Sequence, residues 1–113
     1  MEYILFICRD STKEVTPELG QALGQALEAW GAEMTAKGVL VQGQRLDWYH
    51  QAKTVRRTGD EMLVTDGPFT ETKEHIAGFD VVECASMDEA LEVASHHPML
   101  QYAAIEVRAF WTD

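Results

Sequence analysis

The most constraining feature of this chain is an N-terminal run that is apolar at every position. Tyr-Ile-Leu-Phe-Ile occupies residues 3–7, between Glu2 and Cys8. The run is too short for a buried helix, and side chains alternate between the two faces of a strand, so both faces would be apolar. We therefore predict a central strand that is buried on both sides.

This two-sided strand also predicts self-association. One layer of helices covers a single face of a sheet. The side chains on the other face of the strand, either Ile4, Phe6 and Cys8 or Tyr3, Leu5 and Ile7, would therefore remain exposed as a large apolar patch. A second copy packed sheet to sheet with two-fold symmetry removes that patch, at about 25 cal/mol for each Å² buried. The alternative is that a hairpin or long loop of the same chain folds over the face. We expect a homodimer.

The remaining patterns predict two helices and five further strand segments. Thr16-Pro17 begins a helix as a capping residue followed by proline, and Gly38 ends it. Ser86 to Glu89 form a capping box that begins a second helix, which ends at His97-Pro98. The strand segments are 39–46, 54–57 and 61–65 (a hairpin), 77–84 and 103–111. This β-α-β-β-α-β order with an inserted β-hairpin is an α+β, ferredoxin-like pattern in a single domain spanning residues 1–113.

The charge balance excludes several classes of partner. The formal net charge is −10, which repels phosphate backbones and anionic lipid, so we expect neither nucleic acid nor membrane as a partner. No run is long enough to span a bilayer and no leader pattern precedes the first strand, which predicts a cytoplasmic protein. The sequence has no dinucleotide fingerprint and no metal-ligand spacing, so no cofactor and no metal are expected.

The segment 66–74 carries the highest density of defined chemistry. Its opening Asp-Gly-Pro bends the chain sharply. Asp66 is a candidate general base, with the capping of this turn as its alternative role. Glu71 and Lys73 share a face if the chain is extended. They are candidates to bind a polar ligand, with Lys73 as counter-charge and Glu71 as proton acceptor, or else to form an ion pair that braces the segment.

Five further residues are candidates for the same site. Phe69 would anchor the start of the segment, and Glu74 would face away from the neighbouring lysine. Histidine as a residue type can gain or lose a proton at physiological pH, and His97 ends a helix, so it is a candidate acid or base, or else a cap. Trp30 would wall a ligand pocket or belong to the core. Arg45 would bind an anionic ligand or pair with surface acids.

A family resemblance is carried by the same segment. Leu-Val-Thr-Asp-Gly-Pro-Phe at 63–69, followed by Glu71, Lys73 and Glu74, resembles the signature of the DGPF proteins, a branch of the YCII-related family. The resemblance extends over nearly the whole chain, to Trp30, to 38–40, to 52–56, to 88–90 and to 106–108. It implies a ferredoxin-like subunit in a dimeric α/β barrel.

The resemblance also bears on mechanism. Wider YCII-related proteins are suspected small enzymes, with a His and an Asp proposed as the working pair. Here Trp30 stands in the region where those relatives carry a helix histidine, and His96-His97 precedes the proline where an aspartate is common. We therefore do not assign the His and Asp roles of those relatives to residues of this chain. Genes for DGPF proteins often neighbour those for extracytoplasmic-function sigma factors, which implies a regulatory context.

Two functions follow as hypotheses. The first is a homodimer that binds a small polar molecule near 66–74, with cofactor-independent acid–base chemistry carried by Asp66, Glu71, Lys73 and His97. The second is a non-catalytic dimeric module that docks on a protein such as a transcription regulator. The second hypothesis predicts an exposed apolar patch outside the dimer contact. It also predicts that every charged side chain of the signature segment, residues 63–74, forms a contact that stabilises the fold.

Overall fold

The computed structural model describes residues 1–69 and 74–112 and confirms the predicted α+β, ferredoxin-like order with its inserted hairpin. Within these residues the chain forms two α-helices and six strands. They are β1 (Glu2–Asp10), α1 (Pro17–Ala36), β2 (Leu40–Arg45), β3 (Lys53–Thr58), β4 (Glu61–Asp66), β5 (Glu74–Glu83), α2 (Met87–Ser95) and β6 (Ala103–Ala109). Short 3-10 helices at Tyr49–Gln51 and Pro98–Gln101 precede β3 and β6.

The four-stranded sheet is antiparallel, with the order β2-β5-β1-β6. The apolar strand β1 is central, as predicted, because both of its edges are paired. It runs two residues beyond its predicted end, since Arg9 and Asp10 continue the pairing with β5. Strand β6 in turn stops at Ala109 rather than at residue 111. The extra length of β1 matters because it carries Arg9 into the sheet.

Helix α1 begins and ends at the predicted signals. The Thr16 hydroxyl accepts a hydrogen bond from the Leu19 N–H at 3.2 Å, which satisfies one of the donors left free in a first turn. Gly38, just past the helix, has a φ of 73°, which favours glycine. On the apolar stripe, Trp30 and Met34 are buried. The helix therefore lays one face over the sheet.

Helix α2 closes the core on the same side. The Ser86 side chain accepts from the Glu89 N–H at 3.2 Å, as the capping-box pattern predicts. Ala90 and Ala94 are buried against the sheet. Small residues here let the helix backbone lie close over the apolar side chains beneath it. Those core side chains are Tyr3, Leu5, Val82 and Cys84.

Strands β3 and β4 form the predicted hairpin as a separate two-stranded sheet. Gly59 in its turn has a φ of 61°, the conformation that such tight turns require. Val55 lies opposite Val64 and both are exposed. The radius of gyration is 16.0 Å, against about 13 Å for a compact domain of this length. The hairpin therefore extends away from the body of the domain.

The face of the main sheet that the helices leave uncovered is apolar at its centre. Ile4 lies opposite Val81, and Phe6 lies opposite Phe79. Within the described ranges the hairpin strands pair with each other and not with this sheet. No helix of these ranges is long and apolar enough to cross a membrane.

Candidate functional site

A cavity of about 850 Å³ lies between α1 and the helix-facing surface of the sheet. Leu23, Leu27 and Trp30 of α1 form one wall. The opposite wall is the sheet, from which residues of β1, β2 and β5 line the cavity. The space is large enough for a small organic molecule.

Two glycines form the floor of this cavity, and their backbones leave no room for a side chain. A Cβ at Gly43 would lie 2.3 Å from the Asp80 Oδ1 atom, and one at Gly78 would lie 2.8 Å from the Gln44 carbonyl oxygen. Gly43 is opposite Asp80 in the sheet, and Gly78 is opposite Arg45. Glycine at both positions makes the hollow in which the polar side chains meet.

The principal polar contact in the cavity joins Asp80 of β5 to His97, the residue that caps the second 3-10 helix. The His97 Nε2 atom lies 2.9 Å from the Asp80 Oδ2 atom. On the other side of the ring, His97 Nδ1 accepts the Met99 backbone N–H at 3.1 Å. Because Nδ1 is an acceptor, the ring proton resides on Nε2 and is donated to the carboxylate. The His97 side chain is 2% exposed and that of Asp80 is 14% exposed.

Trp30 fixes the His97 ring from the helix side. The two ring centroids are 4.6 Å apart, with planes tilted by 55°, a common aromatic contact. The indole Nε1–H of Trp30 is buried and has no acceptor among the described residues. The same is true of the Arg9 Nε–H. Both residues line the cavity, so two buried donors there have no partner within residues 1–69 and 74–112.

Aromatic rings close the outer end of the cavity. Tyr49, the first residue of the 3-10 helix between β2 and β3, stacks on His75 of β5 at a centroid distance of 3.8 Å and an interplanar angle of 3°. His50 meets the Tyr49 ring edge-on and stacks against Trp48. These flat rings form a wall suited to a planar molecule.

The sequence-predicted residues divide between this cavity and the hairpin. Trp30, Arg45 and His97 all line the cavity, brought together from α1, β2 and the second 3-10 helix. Asp66 lies at the end of β4, where the hydrogen bond from Lys53, and then its positive charge, hold the pKa of the Asp66 carboxyl below the ordinary value. Thr54 donates to the Gly67 carbonyl at 2.8 Å, which holds the following turn against the hairpin.

The other members of the signature segment are distributed as follows. Phe69 is exposed, with the Arg56 guanidinium 5.1 Å from its ring centroid, a cation–π contact. Glu74 begins β5 opposite Asp10 and is exposed. Neither is among the described lining residues of the cavity. Glu71 and Lys73 lie outside the described residues.

The cavity also contains residues that the sequence patterns left without a role. Asp80 belongs to an apolar strand and Arg9 to a stretch that reads as a loop. The available signal for Asp80 is a charged residue inside an otherwise apolar strand, which requires a partner if it is buried. The aromatic run Trp48-Tyr49-His50 is itself a sequence signal for a ligand site or a dimer contact, and its residues line the cavity. No comparable signal marks His75, because its stacking on Tyr49 joins different parts of the chain.

Comparison with known proteins places this chain in a family. The family model described as the YCII-related domain matches residues 1–112. The chain belongs to the YCII-related family. The resemblance predicted from the signature segment is thereby confirmed at the level of this family.

A curated relative and a solved structure add to this assignment. The YCII-related chain is 54% identical over 43 residues to an uncharacterised protein of Rhizobium meliloti (strain 1021), a match that spans 38% of this chain and 35% of that protein. Its fold resembles that of the 5-chloro-2-hydroxyhydroquinone dehydrochlorinase TftG from Burkholderia phenoliruptrix AC1100, in complex with 2,5-dihydroxybenzoquinone. The TM-score is 0.56 at 16% identity, covering 100% of this chain and 96% of the other, so this likeness concerns the fold alone.

Proposed function

We propose that this YCII-related protein binds a small polar molecule in the cavity and catalyses proton transfer on it without a cofactor, with Asp80 as the proton acceptor. The observation that carries the proposal is the Asp80–His97 hydrogen bond of 2.9 Å inside a cavity. Asp80 Oδ2 accepts from His97, which leaves Oδ1, the oxygen that lies over the bare backbone of Gly43, to contact a ligand. A carboxylate placed in this way suits general base catalysis.

The proposed step is the removal of a proton from carbon next to a carbonyl group. The C–H bond of the ligand breaks as the Oδ1–H bond forms on Asp80. The electron pair moves onto the carbonyl oxygen and gives an enolate. Return of the proton from Asp80 to carbon regenerates the carbonyl and the free carboxylate, so the reaction needs no oxidant or reductant.

His97 would act as a positioning residue in this step. Both ring nitrogens are engaged, one by the Met99 N–H and the other by Asp80. The ring is therefore held in one tautomer and aims a hydrogen bond at the carboxylate. Trp30 packs against the ring and prevents its rotation.

One solved structure of similar fold supports this proposal. The solved neighbour TftG is named as a dehydrochlorinase, and its ligand, 2,5-dihydroxybenzoquinone, is a small planar molecule with hydroxyl and carbonyl groups. A molecule of this size would fit a cavity of about 850 Å³. The flat wall of Tyr49 and His75 offers it a stacking surface.

Hydrogen–deuterium exchange tests the proposal with a panel of candidate substrates. Small hydroxylated ketones are incubated with the protein in D₂O, and incorporation of deuterium on carbon is followed by NMR. We expect Asp80→Asn to slow protein-dependent exchange by about 10²-fold or more. The matched control is Asp66→Asn, the same change on the hairpin. If exchange survives Asp80→Asn, the assignment of Asp80 is refuted.

The residues predicted from the sequence form an alternative catalytic site. In it, Asp66, Glu71 and Lys73 act together with His97. The same exchange assay with Glu71→Gln and Lys73→Ala decides between the two arrangements. Loss of exchange in these variants and in Asp66→Asn, but not in Asp80→Asn, would place the reaction at the signature segment.

We further propose that the uncovered sheet face packs against a second copy of the chain. The face presents Phe6 and Phe79 at its centre and the oppositely charged Glu106 and Arg108 on the adjoining strand. A two-fold axis through such a face packs the apolar surface of one copy against that of the other. It also brings Glu106 of each copy within reach of Arg108 of the other. The second copy would cover Ile4 and its neighbours.

Analytical ultracentrifugation tests the dimer. Phe6→Glu should give a monomer, whereas Val55→Glu, an equally drastic change on the exposed hairpin, should leave a dimer. Near-UV circular dichroism establishes that each variant is folded, and Ile4→Lys repeats the test at a second position. A parent protein that sediments as a monomer, or a Phe6→Glu variant that stays dimeric, contradicts the sheet-to-sheet contact.

A non-catalytic docking module is the second candidate function, favoured by the exposed apolar residues of the hairpin. Val55, Met62 and Val64 are each more than half exposed. The occupant would be a transcription regulator with an apolar groove. The hypothesis predicts that Val55→Glu abolishes a complex with a purified sigma-factor-associated regulator, while deuterium exchange is absent from the parent protein. A complex that withstands Val55→Glu excludes the hairpin as the docking surface.

A further inference from the structure

The cavity is much less acidic than the chain that surrounds it. The chain has 19 Asp and Glu against 9 Lys and Arg. Among the described lining residues the two signs are balanced, with Arg9 and Arg45 against Asp47 and Asp80. Three of the four histidines also line the cavity, at positions 50, 75 and 97. An anion that the overall field would repel therefore meets as many cationic as anionic side chains in the cavity.

The two arginines lie on the same side of Asp80 along the sheet. Gly43 is opposite Asp80, and Arg45 follows two residues later, opposite Gly78. Arg9 lies farther along in the same direction, opposite His75. Positions two apart on a strand share a face, so these side chains and Asp80 all face α1. The bare backbone of Gly78 lies between the carboxylate and the cations.

Two buried hydrogen-bond donors belong to residues that line the same cavity. Trp30 Nε1–H and Arg9 Nε–H both lack an acceptor among the described residues, and Trp30 is 8% exposed. Buried donors are almost always satisfied in folded proteins, and an unsatisfied one is unfavourable. An oxygen atom that enters the cavity would satisfy them. Both donors require the same kind of partner, an acceptor.

We propose that the ligand of this cavity is a small planar organic oxyanion that carries a hydroxyl or acidic C–H group at its opposite end. The oxyanion, a carboxylate or enolate, lies toward Arg9 and Arg45 and accepts from the Trp30 indole. The other end lies over Gly78 and meets Asp80. This ligand class deepens the proposed function, since it rests on the cavity being the ligand site.

Because the negative charge of such a ligand lies at the end away from Asp80, the Asp80 carboxylate does not exclude it. A carboxylate repels an oxyanion placed beside it, and the repulsion falls with separation. The register puts Arg9 several residues from Asp80 along the sheet. A ligand with its charge at one end and its proton at the other satisfies both groups, whereas a compact anion such as inorganic phosphate does not.

A matched pair of planar compounds tests the inference at pH 7. 4-Hydroxybenzoate carries a carboxylate opposite a hydroxyl group, and 4-hydroxybenzamide is its neutral isostere. We expect the carboxylate to bind at least about 10-fold more tightly in calorimetry. Arg9→Gln and Arg45→Gln should each remove most of that preference, while Arg57→Gln on the hairpin should retain it.

The tryptophan side chains report the site directly. The chain has 3 tryptophans, so its ¹⁵N NMR spectrum has three indole cross-peaks, which Trp48→Phe and Trp111→Phe assign. We expect 4-hydroxybenzoate to move the Trp30 peak downfield and 4-hydroxybenzamide to move it less. This readout does not depend on Trp30→Phe being folded.

The outcomes separate the inference from the proposed function. If both compounds bind equally well, or if the Trp30 peak stays in place while 4-hydroxybenzoate binds, the oxyanion class is wrong. The dependence of deuterium exchange on Asp80 is then still decided by its own assay. Binding of neither compound at about 10 mM, weaker than the millimolar range, also overturns the inference.

Discussion

The contact between Gly43 and Asp80 makes a sharp prediction about stability. A Cβ at Gly43 would lie 2.3 Å from Asp80 Oδ1, about 1 Å closer than non-bonded atoms tolerate. In Gly43→Ala the carboxylate must therefore be strained or must move away from His97. Either course costs about 1–3 kcal/mol, as overpacking or as a lost buried hydrogen bond. Alanine regains about 0.5–1 kcal/mol over glycine in a strand.

The net expectation is a loss of about 0–2.5 kcal/mol in the free energy of unfolding, centred near 1 kcal/mol or roughly 4 °C in Tm. Removal of the Asp80 side chain should cancel this loss, because it also removes the Asp80 Cγ atom at 3.5 Å and leaves the Phe79 carbonyl oxygen at 3.6 Å, an ordinary contact distance. In an Asp80→Ala background, Gly43→Ala should therefore be neutral or slightly stabilising. The expected coupling is at least about 1 kcal/mol, beyond the 0.3–0.5 kcal/mol within which independent sites add.

Urea unfolding at one fixed protein concentration measures this double-mutant cycle. Gly24→Ala is the control, since a Cβ there meets nothing within 4 Å. It should stabilise α1 by about 0.5–1 kcal/mol in both backgrounds. A Gly43→Ala penalty of the same size with and without the Asp80 side chain would refute the proposed crowding of the carboxylate.

Three further outcomes follow from local contacts. Burial, and then the nearby Glu106 carboxylate, raise the pKa of the Cys8 thiol, so in a Cys84→Ser background it should react with a disulfide reagent more slowly at pH 8 than free cysteine does; an equal rate would contradict this. Thr16→Ala removes the cap of α1 and should lower the free energy of unfolding by about 1 kcal/mol in urea melts, whereas Thr16→Ser should not. Lys53 lowers the pKa of Asp66 in the folded protein. This pair therefore stabilises the fold at pH values above the ordinary carboxyl pKa, and the stabilisation is lost as the pH falls through the lowered pKa of the folded state. Carboxyl NMR should show that titration midpoint rise in Lys53→Met, and no change would refute the pairing.

The elements of this fold were predictable because their signals are local. Thr16 with its following proline and Gly38 bound α1, and the capping box of Ser86 begins α2. The ends of strands were less predictable. Arg9 extends β1 although it is charged, because pairing with β5 continues through it. Its side chain faces the cavity rather than the core, so no apolar pattern marks it.

The candidate site was predictable only in pieces. Trp30, Arg45 and His97 could each be named because a helix stripe, a strand end and a helix end mark them. Their common cavity could not be foreseen, since they come from three separate elements. The local signal of Asp80, a charge inside an apolar strand, did not identify its partner, because that partner is a histidine 17 residues away.

By itself, the sequence determined the order of strands and helices, their caps and turns, and a central strand with two apolar faces. Backbone propensities and side-chain periodicity act over a few residues, so they can be read along the chain. The tertiary structure alone decided which polar groups meet. Only the register of β1, β2 and β5 brings Arg9, Arg45 and Asp80 onto one surface under Trp30 and His97. Such contacts form between distant segments, because the packing of α1 against the sheet sets their distances.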